Sequence, residues 1–350
     1  MPEADSRLAV FLLTGFLGSG KTTLLAALLQ GDAGRDTAVV INEFGEIGLD
    51  HLILGRIEGE AVALQNGCVC CALRTDLKQT LQDLLDRSMR GEIPRFNRVV
   101  IETTGLADPV PILETLTSDI LLRHHFRHEA TIVTLDAILG EGQLRRHPES
   151  VRQLALADRV ILTKTDIATA EEVEETRRAA AAINPGTRLS EGPLTQDAVG
   201  SLLEAAEGDA ESRLNAVRAW LDAFERNDVP VHGRRDGAAS DLRSLALDVR
   251  EPLDWNAFGV WLSALLHRHG RRILRTKGIL DVSDAAGPVI LQAAESVIHP
   301  PVHMGAWPDD ARGSRIVFIT RGLDPEDIRR SLEVFLAAAA RMSGSGEAAA

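Results

Sequence analysis

The run Gly15-Phe16-Leu17-Gly18-Ser19-Gly20-Lys21-Thr22 satisfies G-x-x-x-x-G-K-[ST] at every fixed position. It follows an apolar stretch, Leu8 to Leu13, that reads as a buried strand. It precedes Thr23-Leu24-Leu25-Ala26-Ala27-Leu28-Leu29, which reads as a helix. A strand–loop–helix context is what a phosphate-binding loop requires. Gly15, Gly18, Ser19, Gly20 and Thr23 would bring backbone N–H groups around phosphates. The Lys21 ammonium would reach the terminal phosphates, and the Thr22 hydroxyl would ligate Mg²⁺. The competing reading is a chance glycine-rich turn, and the flanking strand and helix argue against it.

Composition bounds the rest. The chain has 350 residues and is 45% hydrophobic, enough for about two domains with real cores. The net charge of -13 argues against non-specific binding to nucleic acid or an anionic membrane. It leaves room for a nucleotide in a local positive pocket. No uncharged run is long enough to span a bilayer, and no early segment has the pattern of a secretory signal. All three cysteines fall between residues 68 and 71, which is no disulfide framework. A cytoplasmic protein is the expectation.

Apolar runs alternate with helical patterns through the first two hundred residues. Strands are expected at Thr37 to Ile41, Ala61 to Leu64, Val99 to Ile101, Thr131 to Leu135 and Val160 to Leu162. Leu73, Leu77, Leu81, Leu84 and Leu85 repeat at helical spacing, and Glu171 to Ile183 is a charged, Ala-rich helix. This alternation predicts an α/β domain, a P-loop NTPase parallel sheet with helices on both faces, over residues 1–210. A connecting helix and linker should occupy 211–241, where Pro230, Gly233 and Gly237 break the pattern. A smaller α+β domain should follow over 242–342. Its strands are expected at Leu245 to Val249, Ile273 to Val282, Val289 to Leu291 and Ile316 to Thr320. Its helices are expected at Asp254 to His269 and Pro325 to Met342. The small, polar tail 343–350 is expected to be disordered.

Two later segments narrow the nucleotide. Val99-Val100-Ile101-Glu102-Thr103-Thr104-Gly105 is a buried strand ending in an acid. A P-loop fold needs an acid near Mg²⁺ at the end of a neighbouring strand. Glu102 stands there in place of the more usual Asp, and Gly105 would present its N–H to the γ-phosphate. At another strand end, Leu162-Thr163-Lys164-Thr165-Asp166 matches N/T-K-x-D. There Asp166 would accept from the ring N–H and exocyclic amine of guanine, and Lys164 would lie along the base. Thr163 takes the place of the more frequent Asn. Leu106 follows Gly105 where many GTPases carry a water-orienting Gln, so slow hydrolysis of GTP is expected.

Asn66-Gly67-Cys68-Val69-Cys70-Cys71 holds every cysteine. Thiolates at C-x-C-C spacing can turn toward one ion, and soft sulfur ligands favour Zn²⁺ or Cu(I) over Mg²⁺. The cluster sits before a helix N-terminus, which lowers thiol pKa. Cys68, Cys70 and Cys71 leave a fourth tetrahedral position open, which suits an exchangeable metal. Buried structural cysteines, a redox pair and a closed structural zinc site are the alternatives. The acidic loop Asn42-Glu43-Phe44-Gly45-Glu46-Ile47-Gly48-Leu49-Asp50 follows the second strand, and Glu46 is a further candidate ligand. His124, His125 and His128 lie beside Arg123 and Arg127, and His124 and His128 would share a helix face. A solvated basic helix end is the reading preferred over a metal site. His299 and His303 are expected to pack or hydrogen-bond.

Taken together, these segments resemble the CobW-like P-loop GTPases, a family of cobalamin-synthesis CobW proteins, nitrile hydratase activators and zinc chaperones. The likeness is carried by Thr14 to Thr23, Asn42 to Glu46, Asn66 to Cys71, Glu102 to Pro109 and Thr163 to Asp166. A looser likeness in the second domain is carried by Trp255 to Trp261, Leu274-Arg275-Thr276-Lys277-Gly278 and Ser314 to Gly322. Gln292-Ala293-Ala294-Glu295 departs from the family's usual segment there. The resemblance implies GTP binding with slow hydrolysis, metal held by the C-x-C-C thiols, and handover to a client metalloprotein. The His-rich metal loop of many members is missing from this sequence.

The resulting expectation is a GTP-dependent metallochaperone. Lys21, Thr22 and Glu102 form its catalytic core, GTP, Mg²⁺ and Zn²⁺ are its cofactors, and Co²⁺ or Fe²⁺ is the alternative cargo. Its partner would be a client metalloprotein, not nucleic acid or membrane, and a homo-oligomer is left open. Two other readings stand beside it. One is a GTPase that assembles the cobalt or iron centre of a specific enzyme. The other is a zinc-sensing adaptor in which GTP turnover is incidental.

Overall fold

In a computed structural model, the described residues are 7–30, 36–42, 62–64, 72–191, 202–203, 210–226, 237–308 and 312–347. They form two compact units, divided at Gly208/Asp209.

The first unit is built on a seven-stranded sheet in the order β3-β2-β4-β1-β5-β6-β7. Its strands are β1 (Leu8–Thr14), β2 (Thr37–Asn42), β3 (Val62–Leu64), β4 (Arg98–Thr103), β5 (Phe126–Asp136), β6 (Arg159–Thr163) and β7 (Arg188–Glu191). Every pairing is parallel. A parallel sheet covered on both faces needs continuously apolar strands. Accordingly β4 is buried along its whole length, and so is β1 beyond Leu8. Parallel strands also deliver their carboxyl ends to one edge, where doubly wound sheets bind ligands. Register sets the neighbours there: Leu13 lies beside Glu102, and Asp136 beside Thr163.

Helices connect these strands. Helix α1 (Lys21–Gln30) buries Leu24, Leu25 and Leu28 against Phe11, Leu13, Val39, Val100 and Ile132. Helix α2 (Ala72–Met89) buries Leu77, Leu81 and Leu84, three of the leucines expected at helical spacing. Helices α3 (Val110–Ser118), α4 (Ile120–His125), α5 (Gly140–Arg146) and α6 (Pro148–Leu156) follow. Helix α7 (Ala170–Ile183) opens on a reciprocal cap. The Thr169 side chain accepts from Glu172 N–H, and the Glu172 carboxylate accepts from Thr169 N–H. Helix α4 ends at His125 because Phe126 starts β5. His128 therefore lies in a strand, its Nε2 3.1 Å from Thr131 Oγ1, and shares no helix face with His124.

The second unit is antiparallel. Its strands are β8 (Leu242–Val249), β9 (Ile273–Leu280), β10 (Val289–Ala294), β11 (Val297–Ile298), β12 (Val302–His303) and β13 (Ser314–Arg321). They run in the order β11-β10-β9-β13-β8, with β12 also on β10. Helices α9 (Trp255–His269) and α10 (Pro325–Glu347) build a core with this sheet, in which Phe258, Trp261, Leu245, Ile316, Phe318 and Leu332 meet. Trp261 Nε1 donates to Ser331 Oγ at 3.0 Å and so ties the two helices.

Two expectations about this unit change. Helix α8 (Ala210–Arg226), taken as a connector, belongs with the second unit. The Lys277 ammonium sits 5.3 Å from the centre of its Trp220 ring, and Arg315 pairs with its Asp222 and Glu225. Helix α10 also runs beyond Met342 to Glu347, into the segment expected to be a disordered tail. Its long Ala-rich turn propagates into the Ser-Gly repeat, since extending a helix costs far less than nucleating one. His303 packs edge-on to Trp255, 5.7 Å between ring centres, a packing role as expected.

Candidate nucleotide site

The loop after β1 has the backbone that its glycines permit. Gly15 has φ of 145°, and a Cβ there would fall 2.4 Å from Thr134 Oγ1 and 2.5 Å from Thr134 O. Position 15 therefore admits no side chain, both for conformation and for space. Gly18 and Gly20 also have positive φ. The buried Lys21 ammonium donates to Gly15 O at 2.8 Å and Phe16 O at 3.0 Å. This curls the loop around the charge that a phosphate would meet. Ser19 turns its hydroxyl to Thr134 Oγ1 at 2.6 Å, and its backbone N–H donates to Phe16 O at 3.2 Å, a bond that closes the loop on itself. Thr23 is exposed in the first turn of α1.

Beside the loop, Thr22 Oγ1 donates to Glu102 Oε1 at 3.0 Å. The expected magnesium pair is thus brought together from β4 and α1. Both groups are oxygen donors, one neutral and one a carboxylate, a set that fits a hard divalent cation. Gly105 passes so close to the loop that a Cβ would lie 2.6 Å from Leu17 N. Only glycine lets the segment after β4 approach the phosphate loop this closely. Gln153, on α6, fixes that segment by donating to Gly105 O at 3.2 Å and Ala107 O at 3.1 Å. Arg152 adds an ion pair to Asp108 at 2.9 Å. The His147 ring, just before α6, stacks on Phe16 of the loop with centres 4.5 Å apart.

On the other side of β1, β5 and β6 support the Thr163-Lys164-Thr165-Asp166 turn. Asp166 is exposed there, reachable by a base. Thr163 does more than stand in for Asn. Its hydroxyl lies 2.8 Å from Ser19 O and 3.2 Å from Leu135 O, and donates toward both, tying the turn to the phosphate loop. Lys164 adopts φ of 59°, uncommon for a residue with a side chain, and its Nζ lies 2.5 Å from Asp136 Oδ2. The lysine expected along the base is anchored at its tip. Asp136, Thr134 and Gln153 are site residues that motif reading missed. Each acts across the fold rather than along the chain. For Asp136, the available signal was a lone acid closing a long apolar strand.

Residues 9–191 match the CobW/HypB/UreG nucleotide-binding domain. Residues 242–336 match the cobalamin synthesis protein cobW C-terminal domain. The chain belongs to the CobW family. It is 32% identical to the zinc chaperone YjiA of Escherichia coli K12, over 92% of this chain and 96% of that one. It is 29% identical to the zinc chaperone CobW of Pseudomonas aeruginosa, over 95% and 92% respectively. A crystal structure of zinc-bound YjiA GTPase from E. coli shares the fold with a TM-score of 0.62 at 27% identity, covering 94% of this chain and 99% of that one.

The candidate metal ligands of this CobW-family chain, Cys68, Cys70, Cys71 and Glu46, lie outside the described residues, as does the acidic loop from Glu43 to Asp50. Among the described residues no group of three or more His, Cys, Asp or Glu side chains is placed to hold a metal ion. No helix among them is long and apolar enough to cross a membrane.

Proposed function

We propose that this CobW-family protein is a GTP-dependent metallochaperone that carries zinc to a client metalloprotein in the cytoplasm. The observation that carries this reading is the convergence of Lys21, the Thr22–Glu102 pair, Gly105 and the Thr163–Asp166 turn on one sheet edge. The zinc chaperones it resembles along almost its whole length supply the cargo.

The roles follow from chemistry. The Lys21 ammonium balances the charge of the β- and γ-phosphates. Thr22 and Glu102 hold Mg²⁺, which when bound neutralises charge developing on the transferred phosphoryl oxygens. Gly105 N–H reads the γ-phosphate, and Asp166 reads guanine. Leu106, 54% exposed beside Gly105, has no group that can orient a water, so intrinsic hydrolysis is slow. Cys68, Cys70 and Cys71 carry the zinc, with Glu46 as a candidate fourth ligand.

Nucleotide drives handover only if its two states differ in affinity for metal or client. Competition titration against a zinc chelator, with a non-hydrolysable GTP analogue and then with GDP, measures that difference. A change of about 5–150-fold is expected. Replacing the three cysteines by Ser should abolish tight stoichiometric zinc binding and spare GTP affinity. Equal zinc affinity in both nucleotide states would end the chaperone reading.

A further inference from the structure

The side chain of Asp136 is 1% exposed at the end of β5, in no motif that binds nucleotide by itself. Its two oxygens divide their work. Oδ1 accepts from the backbone N–H groups of Ile138 at 2.9 Å and Leu139 at 3.0 Å. Oδ2 accepts from Lys164 Nζ at 2.5 Å. The first pair fixes the carboxylate, and the fixed carboxylate holds the lysine tip. Lys164 is at the same time constrained at its backbone. Its φ is 59°, and its carbonyl accepts from Ile167 N–H at 3.3 Å and Ala168 N–H at 3.1 Å. Those two bonds close the turn that carries Asp166. With backbone and tip both fixed, the four-carbon stem between them has little freedom left.

We propose that Asp136 is a positioning residue for guanine selection. By holding the Lys164 ammonium it presents the lysine stem as a preformed surface for the base and keeps the Asp166 turn in its base-reading conformation. The inference rests on the reading of Asp166 as the guanine-selecting group. Side chains in an exposed turn lose conformational freedom when they bind. A turn ordered beforehand loses less, and the gain accrues only to ligands that carry a base.

Asp136→Asn isolates this role, because an amide oxygen still accepts from Ile138 and Leu139 while the amide NH₂ no longer accepts from Lys164. Titration calorimetry on the full chain with Mg²⁺ would compare GTP, ATP and inorganic tripolyphosphate. The wild type should prefer GTP. Asp136→Asn should weaken GTP about tenfold or more and leave tripolyphosphate unchanged, since the lost ordering serves the base alone. Lys164→Met approaches the same pair from the other side and keeps an unbranched stem. The double variant should be no weaker for GTP than the weaker single variant, the non-additivity of two groups acting as one. If Asp136→Asn folds poorly, Lys164→Met alone carries the test, because it removes the same pair from an exposed turn. Retained GTP preference in both single variants would overturn the inference. So would equal losses for GTP and tripolyphosphate, which would make Asp136 a general scaffold. A wild type that binds GTP and ATP alike would instead remove the Asp166 reading, and this inference with it.

Discussion

Two aspartates of the first unit have the same set of partners. Asp119 accepts from Leu121 N–H at 3.0 Å and Leu122 N–H at 3.1 Å, and pairs with Lys78 Nζ at 2.7 Å. Asp136 accepts from Ile138 and Leu139 N–H at 2.9 and 3.0 Å, and pairs with Lys164 Nζ at 2.5 Å. In each, one oxygen caps the following two N–H groups and the other holds a lysine. The surroundings differ. The Asp119 side chain is 19% exposed where α4 leads into the start of β5, whereas that of Asp136 is 1% exposed where β5 ends. Eleven residues of strand lie between the two ends of β5, roughly 35 Å. One construction caps a short helix on the edge away from the phosphate loop. The other orders a turn beside it. Local chemistry alone does not tell a structural cap from a positioning device; burial and the address of the lysine do.

The comparison is most easily broken by stability. Asp136→Ala removes a buried carboxylate, strips the Ile138 and Leu139 N–H groups of their part-buried acceptor and leaves an ammonium beside a cavity. A cost of about 2–3 kcal/mol is expected in urea unfolding. Asp119→Ala removes a partly exposed N-cap and should cost about 1 kcal/mol. Equal costs would mean that the difference in burial carries no energetic weight.

The lysines give a second, smaller contrast. Lys164→Met should cost about 1.4 kcal/mol of GTP binding, a tenfold change. Lys78→Met should leave GTP affinity unchanged, because its partner caps α4 and touches nothing at the nucleotide edge. Nucleotide titrations on the two variants decide it. A GTP defect in Lys78→Met would show that the two aspartates are coupled, against the separation argued here.

Thr163 probes the same turn from its other support. Thr163→Val keeps the shape and removes the hydroxyl that donates toward Ser19 O and Leu135 O. A neutral hydrogen bond of this kind contributes about 1 kcal/mol net, and a loss of that size in GTP binding is expected. An unchanged affinity would leave the tie between turn and phosphate loop without consequence.

These residues also mark what the sequence made legible. The loop from Gly15 to Thr22 was readable because its pattern is local. Glycines permit the backbone, Lys21 and Thr22 follow at fixed spacing, and Leu8 to Leu13 form the strand. Glu102 and Gly105 were readable because an acid and a glycine closed a buried run next to a recognisable loop. The parallel sheet followed from apolar runs alternating with helical ones. Asp136 was not readable, since its partner is 28 residues away and nothing in a single chain pairs the two. Gln153 was hidden for the same reason: its carbonyl partners lie 46 and 48 residues earlier. Helix α8 was taken as a connector because a helix lying between two domains in sequence carries no mark of the unit it joins. His128 was misread because six helical residues give way to a strand with no glycine or proline to mark the boundary.

The smallest effect separates the charge of Asp119 from its capping. Asn is also a good N-cap, so Asp119→Asn keeps the bonds from Leu121 and Leu122 N–H and removes only the attraction to Lys78. In the folded protein the Lys78 hydrogen bond, aided by the Leu122 and Leu121 N–H groups, holds the Asp119 carboxyl below its ordinary value. The unfolded chain therefore binds this proton more readily than the native one as pH falls. The stabilisation from the charged form is complete above the ordinary aspartate range, near pH 4, and is lost as pH falls through the lowered native value. Lys78 is 40% exposed, so solvent screens the pair and its worth should not exceed about 0.5 kcal/mol. Urea midpoints of wild type and Asp119→Asn should differ by this small, constant amount from pH 7 to about 5, and converge below about 4. A gap that widened toward low pH would reverse the sign of the linkage and show that the pairing with Lys78 does not favour the charged carboxylate.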